Sequence, residues 1–427
     1  MKRVIISLFF ALLCTGAFAC TSVIITGKAT KDGRPLMWKN TDGGDHFVSQ
    51  RFAYHDEGKY AWLGLAQTAP NPTSAWFGVN EKGFAIMNTA SHNLVTDPAE
   101  KAKRSNGYLM KEALDECVTL GDFLQMLDTI NTKRIKLKNR VVSSHYGVID
   151  ANGGAAYVET RVVDDKVEYW VFDVNDPEVA PDGWLVYANW SVMGETDKGG
   201  GYIRKENADK IFGECEDFTP RFIFDKAARG FYNNLIGVDY RELVDEGIIF
   251  GKGHIPDSDF IPRLTTYVSS VVQGVKPGEN PELITLWTAM GYPPTSVAIP
   301  AWVKGGTEGI NPLLKGNPEN ADNCDMCDMS LKLKTQVFDV QRGNGPNYLN
   351  FEKLYNTEGT GYIQLLSPVE QAVFDWTGLY IDRWRKAGSV NEKEIAEINA
   401  IVEKLIRETP VLKNIPYQYK YGKITVD

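Results

Sequence analysis

One junction near the start of the chain constrains everything after it. Ala17-Phe18-Ala19 closes a leader-like segment, and Cys20-Thr21-Ser22-Val23-Ile24-Ile25 opens a β-branched, apolar strand. Lys2 and Arg3 give the segment a positive start, Val4 to Leu13 is apolar apart from Ser7, and Ala17-x-Ala19 supplies small residues at a cleavage site. The apolar run is too short to span a bilayer. Residues 1–19 are therefore expected to be a secretory signal, which implies a periplasmic or secreted protein. Cleavage after Ala19 would leave a first residue whose thiol and α-amino group lie a few ångströms apart. An unperturbed thiol titrates near ~8.5 and an α-amine near ~7.7–8.0. Nucleophile and base would then come from one residue. Lipoproteins also begin with cysteine, and a lipid-anchored binding protein is the non-enzymatic alternative. The bulky Phe18 two positions before Cys20 argues for ordinary signal peptidase.

The strand is followed by Asp32-Gly33, a strong turn signal, and then by the apolar Leu36-Met37-Trp38. This predicts a β-hairpin that returns Lys39-Asn40-Thr41-Asp42 to the side of Cys20. An N-terminal nucleophile needs such polar neighbours to hold its amine.

Further along, Tyr60 to Leu65, Ala75 to Val79 and Phe84 to Met87 read as strands, with Asn80-Glu81-Lys82-Gly83 as a hairpin turn. Gly107 to Leu127 has the apolar spacing of one helix. A meander of antiparallel strands is expected at 141–149, 155–160, 167–174 and 184–189. Gly199-Gly200-Gly201 is a loop before a helix over 202–212. Segments 222–235 and 240–248 read as short helices or lids. Strands resume at 264–273 and 283–290, and 293–303, with three prolines, reads as an edge. Residues 304–328 turn rich in Gly, Asn, Pro and Asp and read as a linker or an excursion. Two amphipathic helices follow at 367–385 and 391–407, the second capped by Asn391. Strands mixed with segregated helices predict an α+β fold with mostly antiparallel sheets.

A net charge of −9 without basic runs makes nucleic acid and anionic membrane poor partners. No later stretch is long and apolar enough to cross a membrane. Beside Cys20, a cleaved chain keeps Cys117, Cys215, Cys324 and Cys327, which allow three pairings in an oxidising compartment or none. Cys324-x-x-Cys327 alone is weak support for zinc or for a thiol–disulfide activity, and the five histidines show no metal spacing. No cofactor or metal is expected. A Cys/His dyad using one of those histidines is an enzymatic alternative, with His92, four residues after Asn88, the most interesting of them.

Cys20-Thr-Ser-Val-Ile-Ile, Asp32-Gly-Arg-Pro-Leu36, Lys39-Asn-Thr-Asp42 and Asn80-Glu-Lys-Gly-Phe-Ala-Ile-Met-Asn88 together resemble the N-terminal-nucleophile (Ntn) hydrolases that cleave linear amides. That grouping holds choloylglycine hydrolases, penicillin V acylases and acyl-coenzyme A:6-aminopenicillanate acyltransferases. Gly147 to Asp150, Tyr187-Ala188-Asn189 and the segment around Arg263 extend the resemblance over roughly residues 20–305, closest to the acyltransferase-like branch. It implies a four-layer αββα sandwich over 20–305, with 306–427 as linker and helical extension. Cys20 would be nucleophile and, through its amine, base, and Asp42 would orient it. The backbone near Asn88 and the side-chain amide of Asn189 would form an oxyanion hole, and Arg263 would support the site. The chain departs from the family where Lys39 precedes Asn40, because the bile-salt and penicillin branch usually has Arg there and Lys cannot make its bidentate contact. The expected activity is hydrolysis of a linear amide, non-peptide or short N-acyl, through a cysteine thioester. Acyl transfer to an amine and dipeptidase action are the alternatives within the class. A homo-oligomer is compatible with the sequence.

Overall fold

The computed structural model describes residues 20–43, 48–66, 75–94, 106–132, 144–163, 166–248, 253–317, 321–342, 345–413, 419–420 and 423–424. The expected leader lies outside the described residues.

The first strand and its return form as the turn signal required. β1 (Thr21–Ile25) pairs antiparallel with β2 (Leu36–Asp42), placing Thr21 opposite Asn40 and Ser22 opposite Lys39. Gly33 sits at φ 72°, a left-handed position that favours glycine. Every residue of both strands is buried, so the hairpin is the centre of the molecule and not an edge.

Five strands follow: β3 (Phe52–His55), β4 (Trp62–Ala66), β5 (Ala75–Asn80), β6 (Ala85–Ala90) and, after two helices, β7 (Ser144–Ile149). With β8 (Ala155–Val163) and β9 (Lys166–Asp173) they form a seven-stranded antiparallel sheet in chain order. The helices are α1 (Asn106–Glu116) and α2 (Leu120–Thr132). The single helix expected over 107–127 is broken because Asp122 accepts the backbone N–H of Val118 (2.9 Å) and Thr119 (2.8 Å), while Thr119 Oγ1 accepts Asp122 N–H at 3.1 Å. That reciprocal cap starts a new helix. Leu109, Leu114, Phe123 and Leu127 from these helices bury the outer face of the sheet with Trp62, Ile86, Tyr146 and Val148.

β10 (Trp184–Tyr187) does not continue the meander. It crosses to β1, with Tyr187 opposite Ser22, and becomes the edge of a six-stranded sheet. Beyond it lies α3 (Tyr202–Gly213), and then β11 (Thr266–Gln273), β12 (Thr285–Met290) and β13 (Ala298–Ala301). The order is β10-β1-β2-β11-β12-β13, all antiparallel, and the proline-rich edge expected at 293–303 is β13. Segment 222–235 is a π-helical turn (Ile223–Ala228) followed by a two-residue strand, Tyr232–Asn233.

The two sheets face each other. Tyr157 on β8 donates its hydroxyl to Ser22 Oγ at 3.0 Å and stacks on Tyr187 with ring centres 4.1 Å apart. Behind the six-stranded sheet, Phe212 of α3 meets Trp38 and Phe374 of a long C-terminal helix stacks on Trp287. Helix, sheet, sheet, helix is the expected four-layer α+β sandwich.

The segment read as a linker is folded into the body. Asn311 donates to Asn399 O at 3.0 Å, and Asn323 Oδ1 accepts Gln50 N–H at 3.2 Å. Its polar composition serves buried amides that join distant strands and helices. α4 (Asp325–Val337), α5 (Tyr362–Ala387) and α6 (Glu392–Arg407) follow, the last capped by Asn391 as expected. No helix among the described residues is long and apolar enough to cross a membrane.

An ion pair fastens α5 to the sheet. Arg229 reaches both oxygens of Glu370 at 2.7 and 2.6 Å, and Glu370 also accepts the N–H of Ala298 at 2.7 Å. Both side chains are buried. Glu370→Ala leaves the guanidinium buried without its counter-charge. The expected loss is about 3–5 kcal/mol, read from the midpoint of denaturant unfolding.

Candidate active site

The head of β1 lies where three networks meet. In the first, the backbone nitrogen of Cys20 donates to Asn189 Oδ1 at 2.8 Å. Asn189 stands just past β10 because β10 pairs with β1, and its backbone is bridged to Gly200. Its Oδ1 also receives Arg204 Nη2 at 2.7 Å, and its Nδ2 donates to Ala90 O at 2.9 Å. Two donors on one oxygen and an acceptor for the nitrogen fix which way the amide points.

Arg204 was not legible as a site residue. It projects from the first turn of α3 and gives Nη1 to both Cys20 O and Thr21 Oγ1, each at 2.8 Å. The glycines before the helix are the local signal. Gly201 has φ 80°, and a Cβ there would lie 2.2 Å from Arg204 Nη2. The loop must be side-chain-free for the guanidinium to reach the strand. Burial lowers the Arg204 pKa to about 10, helped by Arg263. It stays charged at neutral pH.

In the second network, Asp42 ends β2 with its carboxylate buried. Arg263 binds Asp42 Oδ2 through Nε at 3.0 Å and Nη2 at 2.9 Å. Thr266 donates its hydroxyl to Asp42 Oδ1 at 2.5 Å. Thr266 faces Asp42 at a β-bulge, where the β2–β11 register shifts between Thr266 and Val268.

In the third, Lys39 reaches across the sandwich. The residue is only 2% exposed. Its ammonium donates to Asn88 Oδ1 at 3.0 Å and to Trp76 O at 3.3 Å. Asn88 lies within β6 opposite Tyr146, and its side chain is turned to Lys39. Burial lowers the Lys39 pKa, and Cys20 and Asp42 oppose the shift.

The Cys20 thiol sits among these groups. Burial raises its pKa first of all, Lys39 and Arg204 pull it down, Asp42 pushes it up, and the Asp42 backbone N–H hydrogen-bonds it. All five expected residues are thus tied into these networks around Cys20, together with Arg204, Thr266 and Lys39. A thiol in this setting is reactive only if a base takes its proton, because burial alone disfavours the thiolate.

His145 is a poor candidate for that base. His145 lies in β7, buried, with Nδ1 3.3 Å from Ser191 Oγ. Burial first, and then Lys39, lowers its pKa to about 3. The folded value lies below the unfolded 6.5, so this stabilisation is complete above pH 6.5 and is lost as pH falls toward 3. Unfolding free energy is expected to fall by up to about 1.4 kcal/mol per pH unit across that window, and less in His145→Phe. Denaturant titrations at pH 7, 5.5 and 4 measure it.

The other cysteines, Cys117, Cys215, Cys324 and Cys327, are free thiols. Among the described residues no cluster of His, Cys, Asp and Glu is arranged to hold a metal ion.

Two facing antiparallel sheets flanked by helices, with a cysteine at the head of a central strand, are the arrangement that the resemblance to the Ntn hydrolases implies. Residues 29–169, about a third of the chain, match the model of the family described as acyl-coenzyme A:6-aminopenicillanic acid acyl-transferase. The matched residues include Lys39, Asp42 and Asn88 and exclude Cys20, Asn189, Arg204 and Arg263. No curated protein matches in sequence. Among solved structures, the chain is similar to an N-acylethanolamine-hydrolyzing acid amidase ortholog from Caenorhabditis elegans, at 14% identity and TM-score 0.39, over 60% of this chain and 92% of that one. It is similar to a conjugated bile acid hydrolase mutant from Clostridium perfringens, at 16% identity and TM-score 0.35, over 67% and 92%. Penicillin V acylase from Agrobacterium tumefaciens gives 14% identity and TM-score 0.33, over 67% and 86%.

Proposed function

We propose that the chain is an exported Ntn amidohydrolase in which removal of residues 1–19 turns the Cys20 nitrogen into the catalytic base. The observation that carries this reading is the 2.8 Å contact between that nitrogen and Asn189 Oδ1, an oxygen itself held by Arg204. An amine in place of the peptide nitrogen keeps this hydrogen bond and gains a lone pair. The guanidinium on Cys20 O disfavours a second positive charge there, so it lowers the amine's pKa and frees the lone pair near neutral pH.

The chemistry then runs on one residue. The amine takes the thiol proton and sulfur attacks the amide carbonyl. The tetrahedral oxyanion is met by amide donors, for which the Asn189 side chain and the backbone at Asn88 are assigned. The protonated amine delivers its proton to the leaving nitrogen, and a thioester remains on Cys20. Water, deprotonated by the same amine, releases the acid. Asp42, clamped by Arg263 and Thr266, fixes the backbone whose N–H holds the thiol. The substrate is a small linear or N-acyl amide, and the protein works in the periplasm or outside the cell.

The test is a panel of N-acyl amides, dipeptides and conjugated bile acids incubated with the mature protein, with Cys20→Ser as control. Release of acid from at least one class, absent in the control, supports the reading; equal release by both sinks it. The family match favours acyl transfer as a second reading. Adding an acceptor amine separates the two, because a transferase gives a new amide and a hydrolase gives the free acid.

A further inference from the structure

The helix α4 lies outside the family match, yet it places a buried cation behind the site. Lys334 is 0% exposed, and its ammonium donates to Thr266 O at 2.9 Å. Thr266 is the bulge residue whose hydroxyl is on Asp42 Oδ1. Its N–H also binds Arg263 O, so one residue joins Lys334, Arg263 and Asp42. The groups facing the ammonium are Asp42 from β2, Asp257 from the loop before β11, Cys327 from α4 and the Tyr292 ring, whose centre is 5.3 Å away. Asp257 is itself fixed, accepting Leu264 N–H at 2.5 Å. Burial lowers the Lys334 pKa to about 7, with Asp42 and Asp257 opposing. A structural lysine would be better replaced by an apolar side chain, since burying an ammonium is costly unless its charge is used.

We propose that Lys334 is a positioning residue of the Cys20 centre: it fixes the carbonyl of the bulged Thr266, and through the Thr266 hydroxyl it sets the place of Asp42 and the ease with which the thiol ionises. This deepens the reading of Cys20 as nucleophile and rests on it. The C-terminal part of the chain then completes the site.

The experiment measures iodoacetamide modification of Cys20 against pH, resolved by peptide mass, in the full-length exported protein. It compares wild type, Lys334→Met, Thr266→Val and the double variant. Loosening Asp42 withdraws the backbone N–H that favours the thiolate, so the thiolate becomes harder to form. The Lys334→Met midpoint is therefore expected to rise by about 0.5–1 pH unit. Thr266→Val should move it the same way, and the double variant by less than the sum, since both act through one residue. A midpoint unchanged in Lys334→Met with only a lower melting temperature overturns the proposal. If Lys334→Met does not fold, Thr266→Val decides: a wild-type midpoint there also overturns it, and a raised one supports it. These outcomes concern only the tuning of the thiol. Loss of the nucleophile reading itself would show instead as amide turnover surviving Cys20→Ser.

Discussion

Cys20→Ser will remove amide turnover from the mature protein by roughly four to six orders of magnitude, the range seen when a nucleophile acting in concert with its base is lost. The substitution exchanges a single atom, and a hydroxyl can take the same backbone N–H as the thiol, so the fold should persist. The size of the effect follows from the match between base and nucleophile. An α-amine can deprotonate a thiol because their pKa values lie close together. A serine hydroxyl is far weaker as an acid. His145, the buried imidazole of the neighbouring sheet, is too weakly basic at a pKa of about 3. The measurement is single-turnover release of acid from the best substrate of the panel. It is made beside a thermal melt that shows the variant is folded.

The second large effect is expected at Asn189. Its side chain holds the Cys20 nitrogen, Arg204 and Ala90 O at once. Asn189→Ala removes the acceptor that holds the amine and a neutral donor assigned to the oxyanion. Loss of one such donor typically lowers kcat by about 10²–10³, and KM should change little because the interaction forms in the transition state. Asn189→Asp distinguishes the two roles. A carboxylate beside the amine stabilises the ammonium, so the base form appears at higher pH. The rising limb of the pH profile of kcat/KM should move upward in Asn189→Asp and, with the acceptor gone, downward in Asn189→Ala. An unmoved limb in both would mean that the Cys20 nitrogen is not the base.

Much of the framework could be read from the residues. Asp32-Gly33 between β-branched runs makes a hairpin by local chemistry alone, and that hairpin delivers Asp42 beside Cys20. The π-turn at Ile223–Ala228 and the crossing of β10 to the other sheet could not be read, because alternation tells which face a residue takes and not which sheet its strand joins. Asn189 entered through family resemblance; its spacing from Cys20 carries no local signal, and only the β1–β10 pairing brings it there. The burial of Arg204, Lys39 and Lys334 escaped the sequence for one reason. A cation in a sequence reads as solvated, and these three are buried by contacts that exist only once helix and sheets have packed. The Gly199-Gly200-Gly201 loop was visible, but its purpose was not until the guanidinium stood against it. In segment 304–328 the polar residues include two amides, Asn311 and Asn323, that bond to distant parts of the chain, which composition alone does not reveal.

The most direct test of the account is the mass of the first peptide of the exported protein. The account predicts that the peptide begins at Cys20, with a free amine and an unmodified thiol. A start at any other residue, an acylated nitrogen or a diacylglyceryl group on the sulfur would contradict it.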